Sequence, residues 1–180
     1  MKILIKISRN PIHEFNTQKT LYKYFPRFIA RPIKLKKNRI YMKFYKNKSL
    51  DKLETKLSPT QIINLVNKVK NILKTIRAKF PLFRHNDLHV GNVLLDDQGQ
   101  VRLTDFELTR LTGKTPKVIP KYGITNRINR KYDIHFFLNS LRQYMIKRKN
   151  KSGIATMNKL LPVGYRGKTA AFVRNFRLRA

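Results

Sequence analysis

Residues 2 to 7, Lys-Ile-Leu-Ile-Lys-Ile, alternate in the manner of a β-strand. Pro11 then opens a pattern (Ile12, Phe15, Leu21, Tyr24) that predicts a helix ending before Pro26. Segments 31–36 and 39–45 read as two strands joined at a tight turn, Lys37-Asn38. The clearest helix start is Ser58-Pro59-Thr60-Gln61, a capping box with proline at the first helical position. Ile62, Ile63, Val66, Val69, Ile72, Leu73 and Ile76 follow it at helical spacing and predict a long core helix over 58–78. Val93 to Leu95 and Val101 to Thr104 predict a hairpin with Gly99 in its turn, and 107–128 reads as an irregular loop. A further amphipathic helix over roughly 130–146 carries Ile134, Phe136, Phe137, Leu141 and Met145. The reading mixes short strands with longer helices, and the fold class expected is α+β.

Composition adds a second layer. The chain has 180 residues, 41% of them hydrophobic, with 8 Tyr and 11 Phe, enough for one core. Without cysteine, disulfide scaffolds, thiolate zinc sites and cysteine nucleophiles are excluded. No window approaches the ~20 apolar residues of a bilayer span. The start, Met-Lys-Ile-Leu-Ile-Lys, is too short and too soon interrupted for a signal peptide, so an intracellular, cytoplasmic protein is expected. The 41 Lys and Arg stand against 9 Asp and Glu, a net charge of +32 that calls for an anionic partner, because such self-repulsion destabilises a compact state. No acid follows Asp133. Residues 147–180, with Lys-Arg-Lys-Asn-Lys, Tyr165, Phe172, Phe176 and several arginines, read as a basic tail suited to nucleic acid.

In so acid-poor a chain each carboxylate needs a reason. Asp96 and Asp97 suit a turn, and Asp51 and Glu54 suit a helix start. The other five, Glu14, Asp87, Asp105, Glu107 and Asp133, share one explanation. It begins with His85-Asn86-Asp87-Leu88-His89-Val90-Gly91-Asn92, set between the long helix and a strand and followed past the hairpin by Asp105-Phe106-Glu107. Phosphoryl transfer from ATP needs a carboxylate to orient the attacking hydroxyl, oxygen ligands for Mg²⁺ and a cation on the phosphates. Asp87 would take the first role, and Asn92 and Asp105 would hold the metal.

The pattern H-x-D-x-x-x-x-N followed by D-F-x resembles the catalytic and metal-binding loops of the protein-kinase-like superfamily. Around it, Ile3-Leu4-Ile5-Lys6 resembles the strand whose lysine holds the nucleotide phosphates, with Glu14 as the ion-pair partner of Lys6. Arg39 to Tyr45 and Ser49-Leu50 resemble the hinge strand and its outgoing turn, and Tyr132-Asp133-Ile134 resembles the aspartate that braces the catalytic loop. The resemblance implies a truncated protein-kinase-like fold over 1–146. Residues 1–48 would form a small N-lobe of about three strands and one helix, 49–146 a mainly helical C-lobe, and 147–180 the basic tail. It also implies ATP and Mg²⁺ as cofactors, Asp87, Asn92 and Asp105 as catalytic residues, and Lys6 and Glu14 as nucleotide-binding residues.

Departures from the family pattern refine the expectation. None of the seven glycines is placed to supply a glycine-rich loop over the phosphates, so the nucleotide site is expected to be open unless a partner chain covers it. Asp-Phe-Glu stands for Asp-Phe-Gly, no Ala-Pro-Glu follows, and Asn86 occupies the usual arginine position. These features look more like the atypical branch with lipopolysaccharide-core sugar, choline and aminoglycoside kinases and small kinases of large DNA viruses. A chain this basic and without tryptophan is ill suited to cationic acceptors, so an acidic or phosphorylated acceptor is expected. Two other readings exist. His85, Asp87 and His89 at alternate positions could bind a transition metal, though this leaves Asn92, Asp105 and Asp133 unexplained. A catalytically inactive pseudokinase could instead serve as a basic nucleic-acid-binding or structural component of a virion or ribonucleoprotein particle.

Overall fold

The computed structural model describes residues 2–46, 49–120, 123–126 and 129–167. The fold is α+β: a small sheet with one helix, then a hairpin set among three helices. Strands β1 (Ile3–Ile7), β2 (Pro32–Lys36) and β3 (Arg39–Lys43) form an antiparallel sheet in the order β1-β3-β2. The β2–β3 turn places Lys37 in the left-handed region, at φ 53°.

Helix α1 (Pro11–Tyr24) connects β1 to β2 and departs from its predicted apolar face. Glu14, Thr17, Gln18 and Leu21 are the residues it buries, whereas Ile12 and Tyr24 are exposed. The spacing of that stripe is helical but its chemistry is polar. Gln18 donates from Nε2 to the Ala30 carbonyl at 2.8 Å while its Oε1 stays buried without a partner, and Glu14 pairs with a lysine of β1.

Helix α2 (Pro59–Lys79) forms for the predicted reasons. Gln61 N donates to Ser58 Oγ (3.3 Å) and Ser58 N donates to Gln61 Oε1 (2.8 Å), closing the capping box. Its buried face is Ile62, Leu65, Val66, Val69, Ile72, Leu73 and Ile76, with Leu65 in place of the expected Ile63. Against it pack the hairpin β4 (Val93–Leu95) and β5 (Val101–Leu103), helix α3 (Tyr132–Lys147) and helix α4 (Lys151–Leu160). The hairpin turns at Gly99, φ 71°, where Asp96 Oδ1 accepts from Gln98 N and Gln100 N. Residues 107–128 form no α-helix or strand among those described, but two isolated bridges, Arg84–Arg110 and Ile119–Ile124, tie them down.

The expected tail needs correction at its start. The chain does not leave the domain at 147: α4 lies on the core, with Met157 and Leu161 fully buried. The reason is local. Asn150 is buried, its Oδ1 accepts from Gly153 N (3.0 Å) to cap α4, and its Nδ2 donates to the Leu57 carbonyl (2.8 Å). Tyr165, expected in the tail, sits on α3, its carbonyl 3.1 Å from His135 Nε2. Phe172 and Phe176 lie outside the described residues. Among the described residues, no helix is long and apolar enough to cross a membrane.

Candidate active site

Four elements meet at one cleft of about 380 Å³. Leu4 and Met42 of the sheet and Leu94 of the hairpin give it apolar walls, and Lys6, Asn92 and Asp105 bring polar groups into it. A larger hollow of about 630 Å³ lies between α2 and the β4–β5 turn, bounded by Arg27, Lys68, Asp96 and Arg102, and holds none of the candidate residues. Convergent chemistry, not size, singles out the smaller cleft as the candidate.

Lys6 is the hub. Its Nζ lies 2.7 Å from Glu14 Oε1 and 2.7 Å from Asp105 Oδ1, so one ammonium bridges α1 and the segment after β5. The strand period puts Lys6 and Leu4 on the cleft side of β1, where Lys6 is half-buried and Leu4 still exposed, while Ile3, Ile5 and Ile7 lie exposed on the other face. Burial pulls the Lys6 pKa down, but the two carboxylates outweigh it and leave the pKa raised. Glu14 is in the opposite position. Burial raises its pKa, only partly offset by Lys6 and by a hydrogen bond with the Ser8 side chain, and its Oε2 has no hydrogen-bond partner. Glu107 lies close by: single oxygens of Glu14, Asp105 and Glu107 fall within 4.8 Å of one another.

The loop from His85 to Asn92 is held from three sides. Asp133, fully buried at the start of α3, accepts from Asn86 N (3.0 Å), His85 N (3.2 Å) and Arg77 Nη2 (2.6 Å). Further along α3, Ser140 Oγ accepts from Val90 N (3.0 Å). Inside the loop, Asn92 Nδ2 donates to the Asp87 carbonyl (2.8 Å), which leaves Oδ1 as the atom Asn92 can offer a cation. Thr104 N donates to the Asn92 carbonyl (3.1 Å), so the hairpin brings Asp105 back beside this loop. Asp87 keeps a side chain 35% exposed, its Oδ2 3.8 Å from His89 Nε2. It does not line the cleft wall with Asn92 and Asp105.

His85 is fully buried. Burial lowers its pKa, Nε2–H donates to the Thr104 carbonyl (3.0 Å), and its ring meets Phe106 at 5.0 Å between centroids. Both faces of the site carry unusual backbone: Asn86 has φ 66° and Asp105 φ 64°. Asn and Asp tolerate this left-handed region better than other side chains, and such conformations cluster where a site needs them.

Arg77 and Ser140 were invisible as site residues in the sequence, since each acts through a partner distant in the chain. Their only sequence signal is helical register: Arg77 comes one residue after the last core position of α2, and Ser140 one residue before Leu141 of α3. The donor set fits a magnesium-bound nucleotide, with an amide oxygen, a carboxylate and an ammonium on one cleft and apolar side chains beside them. Residues 12–130 match the family described as the Haspin like kinase domain. No curated protein matches the chain.

Proposed function

The chain belongs to the Haspin-like kinase domain family, and from that premise we propose that it transfers the γ-phosphoryl group of ATP to a hydroxyl of a protein or other anionic acceptor. One observation carries the reading: Lys6 Nζ stands 2.7 Å from both Glu14 and Asp105 on a cleft that Asn92 also lines. Asp87 orients the acceptor hydroxyl and receives its proton as the new oxygen–phosphorus bond forms and the bond to the β-phosphate oxygen breaks. Lys6 holds the phosphates, with Glu14 fixing the ammonium in place. Asn92 and Asp105 hold magnesium, which when bound neutralises charge on the phosphate oxygens. Asp133 acts at a distance by fixing the His85 and Asn86 amides. The net charge of +32 favours acidic or phosphorylated acceptors.

The test is calorimetric binding of ATP with and without Mg²⁺ to the native chain and to Asp105→Asn, followed by transfer of labelled phosphate to acidic protein acceptors. Magnesium-dependent binding that Asp105→Asn removes supports the reading. Binding indifferent to both rules it out.

A second reading, an inactive basic module, has its own observation. On the outer sheet face Lys34, Lys36, Arg39 and Lys43 surround Tyr41, and none has a carboxylate partner among the described residues. Nucleic-acid affinity that falls steeply with salt, in a chain that ignores ATP, would favour it.

A further inference from the structure

Three of the nine acids in the chain, Glu14, Asp105 and Glu107, converge from α1 and from the segment after β5, with one oxygen of each within 4.8 Å of the others. The chain holds 41 Lys and Arg, yet among the described residues only Lys6 pairs with this group. Lys6 occupies Glu14 Oε1 and Asp105 Oδ1. Left over are Glu14 Oε2, buried and without a hydrogen-bond partner, the second oxygen of Asp105, and the carboxylate of Glu107.

Charge makes the arrangement incomplete. Three carboxylates against one ammonium leave two negative charges in a partly buried cluster, where like charges repel and an uncompensated charge is costly. A lone surface cluster could disperse into water, but Glu14 cannot, because its side chain has no solvent exposure. All the spare atoms are hard carboxylate oxygens, the donors that Mn²⁺ and Ca²⁺ take directly and in number.

We propose that Glu14, Asp105 and Glu107 hold a hard divalent cation, bound without nucleotide, at a position separate from the Asn92 side of Asp105. The ion balances the cluster and ties α1 to the segment that follows β5. Glu107 thereby acquires a specific role: it supplies the third carboxylate, and a glycine at that position would leave only two. The inference goes beyond phosphoryl transfer and does not depend on it.

Nucleotide-free protein, stripped with EDTA, is titrated with Mn²⁺, with free ion followed by electron paramagnetic resonance and heat by calorimetry. The expected result is saturable uptake of one ion per chain, weakened roughly tenfold or more by Glu107→Gln and unaltered by Glu54→Gln, an exposed acid elsewhere. Glu107→Lys, which puts an ammonium in place of the ion, should abolish uptake. Unfolding in EDTA checks that the variants fold. No uptake by the native chain at millimolar Mn²⁺ overturns the proposal by itself. So does undiminished uptake in Glu107→Gln, or uptake that is lost only in Asn92→Ala. Phosphoryl transfer is never read, so failure of this site and failure of the kinase reaction are separate results.

Discussion

Glu14 and Asp133 are both fully buried carboxylates, each facing a basic residue, yet the surroundings of α1 and of α3 treat them differently. On the helical side Asp133 has three donors, two backbone amides and Arg77, and they are spread over both of its oxygens. On the sheet side Glu14 has Lys6 at Oε1 and is further held by the Ser8 side chain, but its Oε2 has no hydrogen-bond partner, and it shares that lysine with Asp105. A satisfied buried carboxylate is a brace, and removing it leaves its donors stranded. An unsatisfied one keeps capacity for something else at a cost in stability.

The largest effect that separates the two is in stability. Asp133→Ala strands Arg77 and the His85 and Asn86 amides in the interior and should cost about 3 kcal/mol or more in urea unfolding. Glu14→Gln should cost far less, because it removes an ion pair together with a desolvated charge. Equal losses in the two variants would erase the distinction.

Next comes Met157→Ala, expected to cost about 2 to 5 kcal/mol, since its side chain is fully buried against the core from α4. It sharpens the boundary of the helical lobe. A loss below about 1 kcal/mol would mean that α4 is an appendage, as its charge pattern implies, rather than part of the core.

That contrast also explains what could be read from sequence. Helix α2 was legible down to its cap because burial, propensity and capping all point the same way at Ser58 and along Ile62 to Ile76. The loop from His85 to Asn92 and the hairpin were legible as local structure for a different reason: turn chemistry at Gly99 and fixed spacing survive without knowledge of packing. The buried face of α1 was not, since periodicity searches for apolar residues and this helix buries Glu14, Thr17 and Gln18. Nor was α4. Lys147 to Lys151 reads as a solvated run, and nothing local reveals that Asn150 is buried and bonded to Leu57 across the fold. The meeting of Glu107 with Glu14 needs the same long-range information.

Acid should expose the difference more finely. Burial raises the Glu14 pKa, so its contribution to stability is present below the usual glutamate range and is lost as pH rises through the folded value. His85 and His135 have lowered pKa values through burial, and their contributions hold above about pH 6.5 and are lost as pH falls. The native chain should therefore lose Tm between pH 7 and 5, and Glu14→Gln should steepen that loss. Put differently, the Tm of Glu14→Gln minus that of the native chain should be greater at pH 8 than at pH 5. A difference that stays flat or runs the other way would mean that Glu14 is as well satisfied as Asp133.

The smallest effect tests whether stability and site can be separated at all. Ser58 is exposed at the start of α2, far in sequence from every cleft residue contributed by the sheet, and its hydroxyl accepts a single amide hydrogen, from Gln61. Ser58→Ala should cost about 1 kcal/mol, the ordinary value of an N-cap, because the freed amide can turn to water and Gln61 can still reach the Ser58 amide through its side chain. Affinity for magnesium-bound ATP should not change, since the bond that links α2 to the brace of the His85–Asn92 loop comes from its other end, from Arg77 to Asp133. A loss of nucleotide affinity in Ser58→Ala would mean that the whole helix, and not just its last turn, sets the position of the loop. In that case the helical lobe would be part of the machinery rather than its support.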